Sequence, residues 1–63
     1  MPDYVSVPLP GQRYKDKYGD LVTIDYVEIN HVYFFRDGYY GLCFTSLERF
    51  NQDFMLLDGG QNA

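Results

Sequence analysis

Apolar positions along this chain cluster into short runs separated by turn residues. The clearest run is His31 to Phe44, HVYFFRDGYYGLCF. Asp37-Gly38 between two apolar segments is a strong hairpin signal, because a two-residue type I′ turn needs positive φ at both central positions. That turn predicts Arg36 opposite Tyr39, Phe35 opposite Tyr40, Phe34 opposite Gly41, Tyr33 opposite Leu42 and Val32 opposite Cys43. Cross-strand partners share a face, so one face carries Val32, Phe34, Gly41 and Cys43, and the other carries Tyr33, Phe35, Tyr40 and Leu42. In this register Phe34 covers the strand glycine Gly41.

Both faces are apolar, and the preceding segment chooses between them. Leu21 to Ile29, LVTIDYVEI, is rich in β-branched residues and ends at Asn30-His31. A two-residue loop there places Ile29 opposite Val32, Val27 opposite Phe34, and Asp25 opposite Arg36 as an ion pair. Glu28 then faces Tyr33, and Tyr26 faces Phe35. The face with Val27, Ile29, Val32, Phe34 and Cys43 is the expected core. The face with Tyr26, Tyr33, Phe35, Tyr40 and Leu42 also holds the Glu28 carboxylate, which is costly to bury unpaired, and is the expected surface. Val22 and Ile24 fall on the wrong parity for this core, so the strand needs a bend or a β-bulge near Asp25.

The remaining elements are short. Gln12 to Asp16 follows Pro10-Gly11 as a strand with Tyr14 pointing inward, and Tyr18-Gly19-Asp20 is a turn. Thr45-Ser46 caps one helical turn, with Leu47 and Phe50 on its apolar side. Phe54 to Leu57 is a last strand. The predicted fold is all-β: a small five-stranded, partly open SH3-like barrel with one short helical turn before the last strand, closed by pairing the last strand with the first. Leu47, Phe50 and Phe54 cap its end. Residues 1–10, with three prolines, form a flexible or extended N-terminal arm, residues 11–57 the single barrel domain, and residues 58–63 a disordered tail.

Three segments, PGQRYKDKYGDLVTI, FFRDGYYGLCF and ERFNQDFMLL, resemble a family of short phage and prophage proteins of unknown function. The shared pattern is a Pro-Gly-Gln-x-Tyr-x-Asp-x-x-Gly opening, an Arg-Asp-Gly-Tyr hairpin with a following Cys, and a closing Arg-Phe-x-x-x-Phe. It spans roughly residues 9 to 57. The hairpin here is more aromatic than that pattern, and the N-terminal arm lies outside it. The resemblance implies origin and fold and carries no catalytic motif.

Composition narrows the chemistry. A 63-residue chain forms one domain, and buries only about 60% of the surface its unfolded form exposes. A single cysteine, Cys43, rules out an internal disulfide, makes a structural zinc site implausible, and reads as a small buried hydrophobe in a reducing compartment. Apolar runs fall far short of the ~20 residues of a membrane span, and the start lacks a signal-peptide pattern. A soluble protein in the host cytoplasm is expected. Net charge is −4 and the five basic residues are scattered, whereas nucleic-acid binders present a basic patch.

Candidate catalytic groups are few. His31 and Cys43 fall near one end of the hairpin with no third orienting group, and His31 reads as a solvated turn residue. The acids between Asp16 and Asp20 lack calcium-loop spacing and read as turn acids bonding their own backbone. No catalytic residue, cofactor site, metal site or small-molecule substrate is expected, and the protein is read as non-enzymatic. What stands out is the aromatic content, 19% with seven Tyr and five Phe, more than so small a core can hide. Tyr26, Tyr33, Phe35 and Tyr40 are the expected interaction surface, for a host or phage protein or a second copy in a homodimer. The alternatives are a barrel that stacks single-stranded nucleic acid on Tyr33, Phe35 and Tyr40, and an acidic mimic of DNA that inhibits a host protein.

Overall fold

The computed structural model describes residues 7–57. The expected tail, 58–63, and most of the expected arm, 1–6, lie outside the described residues. Five strands are present: β1 (Arg13–Asp16), β2 (Leu21–Glu28), β3 (His31–Arg36), β4 (Leu42–Ser46) and β5 (Phe54–Leu56). A helix, α1 (Leu47–Asp53), separates the last two. All neighbouring strands are antiparallel, and the sheet order is β4-β3-β2-β1-β5. The expected SH3-like order is therefore present as one open, curled sheet, with the last strand paired to the first.

Strand β2 carries the expected irregularity. Ile24 pairs with Phe34 and Tyr26 with Tyr33, so Asp25 is the extra residue of a bulge. Because side chains alternate with period two, one inserted residue brings Val22 and Ile24 onto the same face as Val27. Val22 is fully buried and Ile24 nearly so.

Both loops differ in register from the sequence expectation. The β2–β3 turn is made by Ile29 and Asn30, with φ of 46° and 64°, and pairing resumes at Glu28 and His31. Val27 thus faces Val32 rather than Phe34. Ile29, expected in the core, is a turn residue and 80% exposed. In the next loop the backbone N–H of Tyr39 donates to the Arg36 carbonyl at 3.1 Å, so a turn does form around Asp37-Gly38. It is not the type I′ turn, because only Gly38 has positive φ. The Asp37 N–H still donates to the Leu21 carbonyl, which keeps Asp37 on the β3 path. Tyr39 and Tyr40 loop out, and pairing starts at Phe35 with Leu42. Phe34 pairs with Cys43, and the Tyr39 ring, not Phe34, lies against Gly41. Both shifts are of two residues, so the faces keep their parity.

The inner face is covered by α1. The Ser46 hydroxyl accepts from the Arg49 N–H at 3.1 Å and caps the helix, which runs about two turns rather than the expected one. Phe50, fully buried, meets Tyr14 edge-on at 4.9 Å between ring centres and stacks on Phe54 at 4.2 Å. Val22, Ile24, Val32 and Phe34 complete the core, with Val27, Cys43, Leu47 and Phe54 packed around it. Pro8 is also buried, so the described end of the N-terminal segment lies against the domain.

Phe34→Ala or Phe50→Ala should each cost about 3–5 kcal/mol, a large share of the stability of so small a domain. Urea unfolding checks this, and a midpoint close to the parent's would contradict the core assignment. Ile29→Asn should instead raise the melting temperature, by the equivalent of about 1 kcal/mol, since a β-branched residue in the left-handed region is strained and Asn tolerates it. A lower melting temperature would contradict the turn geometry.

Candidate functional site

The outer face of the sheet, opposite α1, carries three of the six exposed aromatic side chains among the described residues, Tyr26, Phe35 and Phe44. Tyr26 on β2 and Tyr33 on β3 are cross-strand partners, and Tyr33 pairs with Phe44 on β4. Their rings form a ladder across three strands. Tyr26 stacks on Tyr33 at 4.4 Å with planes 10° apart, and Tyr33 stacks on Phe44 at 5.6 Å. The His31 ring meets Phe44 edge-on at 5.9 Å. Phe35 and Leu42, paired with each other, extend the patch toward the Asp37 loop. Phe35 is 44% exposed and Tyr26 38%. Glu28 is exposed on the same face.

Three of the four expected surface residues, Tyr26, Tyr33 and Phe35, therefore share the outer face. Tyr40 does not pair with Phe35; it sits in the loop, 98% exposed. Phe44 takes its place in the ladder at 63% exposure. The two-residue register shift moved Phe44 opposite Tyr33, and the expected Asp-Gly turn concealed it. Each stacked pair contributes about 0.5–1.5 kcal/mol beyond area burial, so the ladder also rigidifies the face.

A cluster of paired charges sits at the other end of the sheet. Asp16 is buried, with Oδ1 accepting from the Tyr18 and Asp20 backbone N–H groups, each at 2.9 Å. Its Oδ2 accepts from Arg36 Nη1 at 2.7 Å, and Asp20 lies 3.8 Å from the same nitrogen. Arg36 thus pairs with Asp16 and Asp20, not with Asp25, because the two-residue shift of the β2–β3 turn and the bulge together leave Val22 opposite Arg36. Arg13 makes two hydrogen bonds to Asp37 and one to Thr23. Burial alone would raise the Asp16 carboxyl, but the Arg36 hydrogen bond, the two backbone amides and the Arg36 charge together hold it below its ordinary value. This is the turn-acid role expected for Asp16, made structural by Arg36.

The other candidate chemistry disperses. His31 is the first residue of β3, with Nδ1 3.1 Å from the Ile29 carbonyl oxygen. It shares the outer face with Phe44, whereas Cys43 pairs with Phe34 on the inner face, half-buried. The two cannot act as a dyad. Cys43 borders a shallow groove of about 250 Å³ between β4 and α1, near Arg36 and Arg49. Among the described residues no group of three or more His, Cys, Asp or Glu side chains is placed to hold a metal ion, and no helix is long and apolar enough to cross a membrane.

Over residues 10–58 the sequence matches the family described as a domain of unknown function, DUF4222. The chain belongs to that family. No match was found among curated proteins or solved structures. The DUF4222 match begins at Pro10, at the Pro10-Gly11 turn, and runs through β5. It takes in the whole sheet, α1 and the outer-face ladder.

The charge cluster makes a pH-dependent contribution to stability. A carboxyl depressed in the folded state stabilises fully above its unfolded value, about 3.9, and the contribution is lost as pH falls through the lower folded value. Stability should therefore decline below about pH 4, and Asp16→Asn should flatten that decline while costing about 2 kcal/mol at neutral pH. Thermal melts of both proteins across the acid range check this. An unchanged acid slope in the variant would show that Asp16 is not the group responsible.

Proposed function

We propose that the protein is a small, non-enzymatic interaction module of phage type, and that its outer face binds a host or phage protein. The observation that supports this most strongly is the Tyr26–Tyr33–Phe44 ladder, exposed on the face that α1 leaves uncovered. Contiguous aromatic surface of this kind characterises interface cores, where rigid rings contribute large contact area at low entropic cost. The resemblance of the Pro-Gly-Gln opening and the Arg-Asp-Gly-Tyr segment to phage and prophage proteins supports the origin, and with it a place in the host cytoplasm.

The geometry favours protein over nucleic acid. Stacking of bases needs free ring faces, and in the ladder Tyr33 has Tyr26 on one side and Phe44 on the other. Arg13, the basic side chain paired with Thr23 and Asp37, is already engaged. An acidic DNA mimic would need free carboxylates in a row; of the seven described carboxylates Asp16, Asp20, Asp37 and Asp53 have basic partners, which leaves Asp25, Glu28 and Glu48.

Tyr26→Ser combined with Phe35→Ser should test the reading. Both side chains are exposed, so the double variant should stay folded and melt within several degrees of the parent. A tagged parent should capture a specific protein from host lysate, and the double variant should lose it, with at least tenfold weaker binding of that purified protein. Undiminished binding by the folded variant would place the site elsewhere. Salt-dependent binding of a single-stranded oligonucleotide by the parent, lost in the variant, would favour nucleic acid instead.

A further inference from the structure

We propose that two copies of the chain pair through the β4 edge, antiparallel, about a two-fold axis at Phe44. This goes beyond the proposed protein partner and does not depend on it. Among the described residues, strand β4 stands at the end of the sheet order and pairs only with β3. Exposed edges are templates for further strands, and natural proteins blunt them with charge, proline, bulges or shortness. Strand β4 has none of these devices. It is five residues long, Leu-Cys-Phe-Thr-Ser, and its pairing with β3 is regular throughout. The other edge, β5, has only three residues.

The charge pattern is compatible with a second copy as the occupant. The chain carries a net charge of −4, and copies repel at most approaches. From Gly38 to Leu47 there is no Asp, Glu, Lys or Arg. Within β4 itself, edge-to-edge approach therefore brings no like charges into register, and the groove beside the edge holds both signs, Lys17, Arg36 and Arg49 with Asp16 and Asp53.

Register selects the axis. Antiparallel partners share a face, and among two-fold arrangements only one centred on Phe44 pairs all five residues of β4. Phe44 then lies opposite Phe44 of the second copy, Leu42 opposite Ser46, and Cys43 opposite Thr45. Phe44 is the open end of the aromatic ladder, and a second Phe44 beside it joins two three-ring ladders into one surface. The pairing is isologous and closes on itself. A β4-to-β5 contact would be heterologous and would propagate into filaments.

Analytical ultracentrifugation of the untagged chain at about 100 µM should show a species of twice the 7.4 kDa chain mass, since a dissociation constant in the low-micromolar range gives mostly dimer there. Leu42→Lys with Phe44→Lys places cations on the edge and should return the chain to monomer with its β-rich circular dichroism retained. Thr45→Cys puts a thiol opposite Cys43 of the second copy, and mild oxidation should then give a covalent dimer; the parent should not cross-link. A monomeric parent, filaments, or a dimer that survives the lysine substitutions would each overturn the proposal. If the lysine variant unfolds, the Thr45→Cys cross-link decides: no covalent dimer means no such interface. A dimer that persists in the Tyr26→Ser, Phe35→Ser variant while capture of a purified protein partner is lost separates this proposal from the one above.

Discussion

The extra residue at Asp25 is the constraint on which the structure depends. Strand β2 is the long central strand, paired with β1 on one side and β3 on the other. Its two halves must both feed one core. In an unbroken strand Val22 and Ile24 would face the side opposite Val27, and one half of the sheet would present its apolar residues to water. The bulge reconciles the halves. It also increases local twist, which lets a sheet of five short strands wrap around a single helix. The position of Arg36 follows from it too. With the register stepped by one beyond Asp25, Arg36 lies opposite Val22 on the inner face, within reach of buried Asp16.

Much of this was legible in the residues because parity is a strong signal. The clash between Val22, Ile24 and Val27 demanded an irregularity, and Asp25 sits where it was required. The Glu28 carboxylate identified the outer face correctly, since few mechanisms could satisfy it inside so small a core. The closing strand and the Ser46 cap were likewise local features with local causes. Less legible was how far each loop extends. Asn30-His31 and Ile29-Asn30 are equally short loops, and the second places a β-branched residue at positive φ, against its preference. The Asp37-Gly38 turn forms, but Asp37 is held to β2 by its N–H bond to Leu21 and to Arg13 by an ion pair. Those contacts come from strands distant in sequence, and nothing within the hairpin announces them.

The same two-residue shifts explain the outcome at the surface. A shift of two preserves which face each residue occupies but changes its neighbour. Tyr26, Tyr33 and Phe35 therefore stayed on the expected side, while Tyr40 left the sheet and Phe44 entered it. The face was readable from alternation, and the contacts within it were readable only from register.

The inner and outer rings answer to different demands. Tyr14, Phe34, Phe50 and Phe54 pack against one another beneath α1, and a chain this short needs their area to fold. No such need accounts for the outer ladder. Strand propensity at exposed positions is met equally by threonine or valine, and Thr23 fills that role on the same face beside Arg13. Stacking hides part of each ring but leaves Phe44 and the tyrosine edges in water, where they favour association with some apolar surface. The outer rings thus lie on a face rigidified by their own stacking and bordered at β4 by a strand without charged residues.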